Sequence, residues 1–77
     1  MIKIQILGTG CKKCQKLLDN AKTAATELSI DFEIEKIEDI QKITEMGALS
    51  TPGLAINGQI KSFGKLLSSE EIKEFLR

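Results

Sequence analysis

Isoleucines and polar residues take turns at the start of the chain, with Ile2, Ile4 and Ile6 against Lys3 and Gln5. A period of two predicts a strand over Met1–Leu7 with one packed face and one only partly covered. Gly8-Thr9-Gly10 breaks the alternation. Beyond it Cys14, Leu17, Leu18, Ala21, Ala24, Ala25 and Leu28 recur at spacings of three and four, while Lys16, Asp19, Asn20 and Lys22 fall outside that stripe. This pattern predicts a helix of about four turns, from about Cys11 to Leu28–Ser29. Alternation returns over Asp31–Ile37, where Phe32 and Ile34 oppose Glu33 and Glu35. Strand, helix and strand in so short a stretch suit a right-handed crossover joining a parallel pair.

Asp39 is placed to cap a short second helix carrying Ile40, Ile43 and Met46 on one face, with Gly47 as its stop. After Ser50-Thr51-Pro52-Gly53, the stretches Leu54–Ile56 and Gln59–Phe63 flank Asn57-Gly58. Asn-Gly between two apolar stretches is a hairpin signal, because both turn residues must take positive φ. Gly64 ends the hairpin. Ser68 and Glu71 have the spacing of a capping box. Ile72, Phe75 and Leu76 then form the inner face of a closing helix. Met46 and Leu49 are expected in the core, whereas Ile60 and Phe63 are open to either a core or a rim assignment. The whole reads as an α/β sandwich of four strands with helices on both faces.

At 77 residues the expectation is a single domain over 1–77, close to the smallest size that one hydrophobic core can hold. Lys plus Arg and Asp plus Glu number 11 each, which leaves no net charge and no basic tract for nucleic acid. The apolar runs fall far short of the roughly 18 residues a membrane span needs, and the alternating start is unlike a signal-peptide core. No nucleic-acid or membrane partner, a cytoplasmic location and a monomer are therefore expected.

The remaining chemistry is concentrated in Cys11-Lys12-Lys13-Cys14. These are the only cysteines, and the chain has no histidine. In a reducing compartment such a pair is more often transient and catalytic than structural. A Cys11–Cys14 bond would also be a weak staple, since closing so short a ring removes only roughly 2 kcal/mol of unfolded-chain entropy. Residues three apart inside a helix have β carbons about 5 to 6 Å apart, whereas a disulfide wants roughly 3.5 to 4.5 Å. The pair can close only at a distorted helix entrance, where Gly10 and Cys11 are free of interior backbone angles. Cys11 is then the outer, attacking thiol, and Cys14 the resolving one. The helix N-terminus favours thiolate at Cys11, with Lys12 and Lys13 as candidate tuning charges or simply a solvated helix start.

Strand, Cys-x-x-Cys, helix and a later Thr51-Pro52 before a hairpin together resemble the thioredoxin superfamily over nearly the whole chain. In size the chain is similar to small, glutaredoxin-sized redox-active disulfide proteins. The resemblance implies a three-layer sandwich with a four-stranded mixed sheet and three helices, in the order β-α-β-α-β-β-α. It implies a thiol–disulfide oxidoreductase that acts on a disulfide-containing protein, is recycled by a separate reductant and needs no cofactor. Pro52 is implied as a cis-proline opposite the cysteines, and the Thr51 backbone as a strand-like partner for substrate. Thr51, Pro52 and Gly10 are thus the expected substrate contacts. Gly10 stands where thioredoxins typically have Trp, and Lys12-Lys13 where they have Gly-Pro, so no redox potential carries over. Leu7-Gly8-Thr9 and Phe63-Gly64-Lys65-Leu66 stand where glutaredoxins place their glutathione contacts, and neither matches. The sequence offers no obvious buried acid to deprotonate Cys14.

Rival readings place a metal on the two thiols. A closed zinc site needs four ligands and would require a dimer. A copper carrier of the heavy-metal-associated type also places Cys-x-x-Cys after its first strand. That fold runs βαββαβ and ends on a strand, whereas this chain is expected to end on a capped helix. A glutaredoxin-like dimer sharing an iron–sulfur cluster is the remaining alternative.

Overall fold

The computed structural model describes residues 1–10 and 12–77. Its elements are β1 (Ile2–Leu7), α1 (Lys12–Glu27), β2 (Phe32–Ile37), α2 (Ile40–Glu45), β3 (Gly53–Ile56), β4 (Gln59–Phe63) and α3 (Ser69–Leu76). The strands form one mixed sheet in the order β2-β1-β3-β4. β1 runs parallel to β2, with Leu7 opposite Ile37, and antiparallel to β3, with Leu7 opposite Gly53. The element order βαβαββα is the thioredoxin-like arrangement and not the βαββαβ arrangement of the metal carriers.

Two apolar layers hold the sheet. On one side Ile4, Ile6, Leu54 and Ile56 pack against Leu17, Leu18 and Ala21 of α1 and Ile72 and Leu76 of α3. On the other, Leu7, Ile37 and Ala55 pack against Ile43 and Ala48. Ile4, Leu17 and Ile72 are wholly buried. Each such side chain contributes roughly 1.5 to 3 kcal/mol by leaving water. Gln5 is buried as well, on the face expected to be only partly covered. Its amide nitrogen donates to Glu35 and its oxygen accepts from the Gly58 amide, both at 2.9 Å, so the buried polar group is satisfied.

Local chemistry closes the elements as their residues require. The Asp39 carboxylate accepts from the Gln41 amide, and Ser68 with Glu71 completes a capping box at α3. Asn57 and Gly58 take φ of 52° and 85°, the pairing that a two-residue hairpin turn demands.

Three core expectations are corrected. Leu49 is 82% exposed, because Gly47 turns the chain at φ 101° after α2 and directs Ala48 inward in its place. Ile40 is exposed at the first position of α2, so that only Ile43 of this helix is buried. Phe75 is 39% exposed, since Ile72 and Leu76 already fill the contact with α1. Phe63 is likewise on the surface, while Ile60 packs against the second layer. Among the described residues no helix is long and apolar enough to cross a membrane.

Candidate active site

The register brings three chain segments to one edge of the sheet. β1 and β2 are parallel, so both end there, and antiparallel β3 begins there. The N-terminus of α1 arrives at the same edge because Gly8-Thr9-Gly10 is a short connection from β1. Ligand sites in open α/β sheets commonly lie at such carboxyl ends of parallel strands.

Cys14 lies in the first turn of α1 and is 4% exposed. The helical stripe that buries Leu17, Leu18 and Ala21 carries its sulfur inward too. Gly8 lies behind it, its amide donating to the Ile37 carbonyl at 2.9 Å. A β carbon built on Gly8 would overlap the Cys14 sulfur and would lie 3.8 Å from the Thr51 β carbon. The space beside the Gly8 α carbon is therefore bordered both by the sulfur and by the segment that leads into β3.

A cleft of about 160 Å³ opens beside the sulfur, lined by Ile6, Gly8, Gly10, Cys14, Gln15, Leu18, Lys36 and Glu38. Its charged members come from the end of β2 and the residue that follows. Gly10 takes φ 88°, a conformation open to glycine at little cost. A β carbon there would lie 3.9 Å from a Glu38 carboxylate oxygen. Lys12 and Lys13 are exposed on the first turn of α1, and that turn carries no acidic residue. Glu38 is the acidic residue lining the cleft.

Near Gly8, the Thr51–Pro52 peptide is cis, Thr51 is exposed and Pro52 is buried. The Pro52 carbonyl accepts from the Gly64 amide at 2.9 Å, which ties this segment to the end of β4. A second recess runs from Thr9 and Thr51 to the exposed Leu49 and Ile40.

The structure thus brings Gly10 and Cys14 to one cleft and Thr51, followed by Pro52, close to Gly8 beside it, while Lys12 and Lys13 are exposed on the first turn of α1 and do not line the cleft. The expectations for Cys11 lie outside the described residues. Sequence reasoning missed Gly8, Lys36 and Glu38. Their signal was available in the parallel pairing itself, since the ends of β1 and β2 must neighbour each other wherever α1 begins. Among the described residues no group of three or more His, Cys, Asp or Glu is gathered as a metal site.

Comparison with other proteins gives a consistent match. A family model described as Thioredoxin domain matches residues 2–77. The chain is 51% identical over 76 residues to a protein named Thioredoxin from Methanothermobacter thermautotrophicus, covering 99% of each chain. It is 47% identical over 77 residues to a protein named Thioredoxin from Methanocaldococcus jannaschii, covering 100% of this chain and 88% of that one.

Proposed function

Since the chain belongs to the thioredoxin family of redox proteins, we propose that it reduces or exchanges protein disulfides through Cys11 and Cys14. The observation that carries this reading is the Cys14 sulfur itself, sheltered at the start of α1 and set against the end of β1. A buried second thiol three residues behind another is suited to an intramolecular reaction and poorly suited to capturing outside partners. Cys11, which precedes α1 in the chain, is the attacking group.

In the first step the Cys11 thiolate attacks one sulfur of a substrate disulfide, and the other substrate sulfur leaves as a thiolate. In the second, the Cys14 thiolate attacks the Cys11 sulfur, the mixed disulfide breaks, and the second substrate sulfur leaves. Substrate gains two electrons and two protons, and the protein is left with a Cys11–Cys14 disulfide. A dithiol-class reductant then reverses that oxidation. The α1 N-terminus together with Lys12 and Lys13 keeps Cys11 anionic, while Thr51, Pro52 and Gly10 flank the approaching substrate segment. A cytoplasmic setting fits a pair that cycles between states.

The test is a trap. In Cys14→Ser the adduct with a disulfide-bearing protein should persist on Cys11 and be visible by non-reducing electrophoresis and mass spectrometry. Cys11→Ser should form none. Equilibration of the unaltered protein across a glutathione series should convert both thiols to one internal disulfide. Retention of free thiols throughout, with tight Cu(I) binding, would overturn the reading in favour of a metal carrier.

A further inference from the structure

Gly8, Gly10, Gly47, Gly58 and Gly64 differ in what they need from the absence of a side chain. The last four take positive φ, where glycine is the low-strain choice. Gly8 does not lie in that region, so its backbone angles set no such demand. Its demand is for space. A β carbon on Gly8 would overlap the Cys14 sulfur and press its β carbon at 3.3 Å. The Gly8 backbone has little room to retreat, because its amide is held by the Ile37 carbonyl at 2.9 Å. Leu7, one residue earlier, is paired on both sides, to Ile37 and to Gly53.

We propose that Gly8 is a positioning residue for the resolving sulfur: the space its missing side chain leaves is the seat of Cys14 Sγ, and that seat sets how fast Cys14 closes a mixed disulfide on Cys11. The inference rests on the dithiol reading above. In this step Cys14, its proton already lost to water, forms a bond to the Cys11 sulfur as the bond from Cys11 to substrate breaks. The electron pair leaves on the substrate sulfur, which then takes a proton from water. Closure demands a narrow sulfur geometry, and misplacement of a reacting group by about 1 Å can cost on the order of a hundredfold in rate. A methyl group on Gly8 has to displace the sulfur by a distance of that order.

The experiment uses Gly8→Ala with the aromatic disulfide 5,5′-dithiobis(2-nitrobenzoate) in single turnover. Release of the first coloured thiolate reports attack by Cys11, and release of the second reports resolution by Cys14. The expected result is a first phase within about twofold of the unaltered protein and a second phase slowed about tenfold or more. A second phase at the unaltered rate overturns the proposal, as does an equal slowing of both phases. If the unaltered protein itself releases no second thiolate, the dithiol reading fails and this proposal with it. A melting-temperature cycle covers the case in which Gly8→Ala does not fold. The same substitution made in Cys14→Ala, where the sulfur is gone, should then give a folded protein that melts close to the Cys14→Ala parent. An equal loss in both backgrounds overturns the seat.

Discussion

Leu49 and Leu54 share a side chain and differ in almost everything else. Leu54 is 1% exposed between β1 and the α1 layer, and its removal leaves a cavity. Leu54→Ala should cost about 2 to 5 kcal/mol. Leu49 is 82% exposed beside Thr51, so Leu49→Ala should stay within about 0.5 kcal/mol of the unaltered protein. Urea unfolding midpoints of the two variants check the contrast, and similar losses would return Leu49 to the core. Periodicity alone could not separate these leucines. Leu49 lies beyond the end of α2, and the turn at Gly47 decides which way its side chain faces. The Cys-x-x-Cys spacing stood out for the opposite reason, since it is read from four adjacent residues, and the structure buries Cys14 as the helical stripe required. Gly8 did not stand out, because a glycine inside Gly-Thr-Gly reads as a loop break, and the sulfur that needs its space belongs to a residue on the next element.

At the level of elements, the ends of helices carried the clearest local signals. The Glu71 amide donates to the Ser68 hydroxyl, and the Ser68 amide donates to the Glu71 carboxylate, each at 3.2 Å. Ser68→Ala should therefore cost about 1 kcal/mol. The Ser68 backbone amide, then Lys65, hold the Glu71 carboxyl below the usual glutamate range. A carboxyl lowered on folding stabilises the protein fully above its unfolded pKa, and that contribution is lost as pH falls through the folded value. Stability should thus decline across and below the usual glutamate range, and Glu71→Gln should flatten the decline when denaturation midpoints are measured against pH. An unchanged acid limb would show that this cap adds nothing to α3. Strands were legible by the same kind of local reasoning, because alternation and Asn57-Gly58 need only the residues themselves. The short α2 was less so. With six residues it is too short for its periodicity to fix a face, and Ile40 came out exposed.

Across the whole molecule, α3 is fastened to α1 by more than apolar contact. Lys73 pairs with Glu27 on α1 and with Glu70 on its own helix, the latter at 3.1 Å. Glu27 first, and then Glu70, raises the Lys73 pKa. A lysine raised on folding contributes its full stabilisation below the unfolded pKa and loses it as pH climbs through the folded value. The unaltered protein should therefore lose stability on the far alkaline side of the ordinary lysine range. Glu27→Gln should bring that loss to lower pH, as followed by thermal melts in alkaline buffers. An unshifted alkaline limb would leave the α1–α3 contact to Ile72 and Leu76 alone.

The order of elements, their caps, the hairpin and the burial of Cys14 followed from the chain alone, because each depends on residues within a few positions of one another. Pairing Leu7 with both Ile37 and Gly53 involves residues up to 46 positions apart, and only the folded sheet brings their neighbours together. That convergence decided that Gly8 faces a sulfur and that Glu38 and Lys36 share its cleft. Local periodicity reports the average face of an element, whereas a site is built from the few atoms at which separate elements collide or leave room.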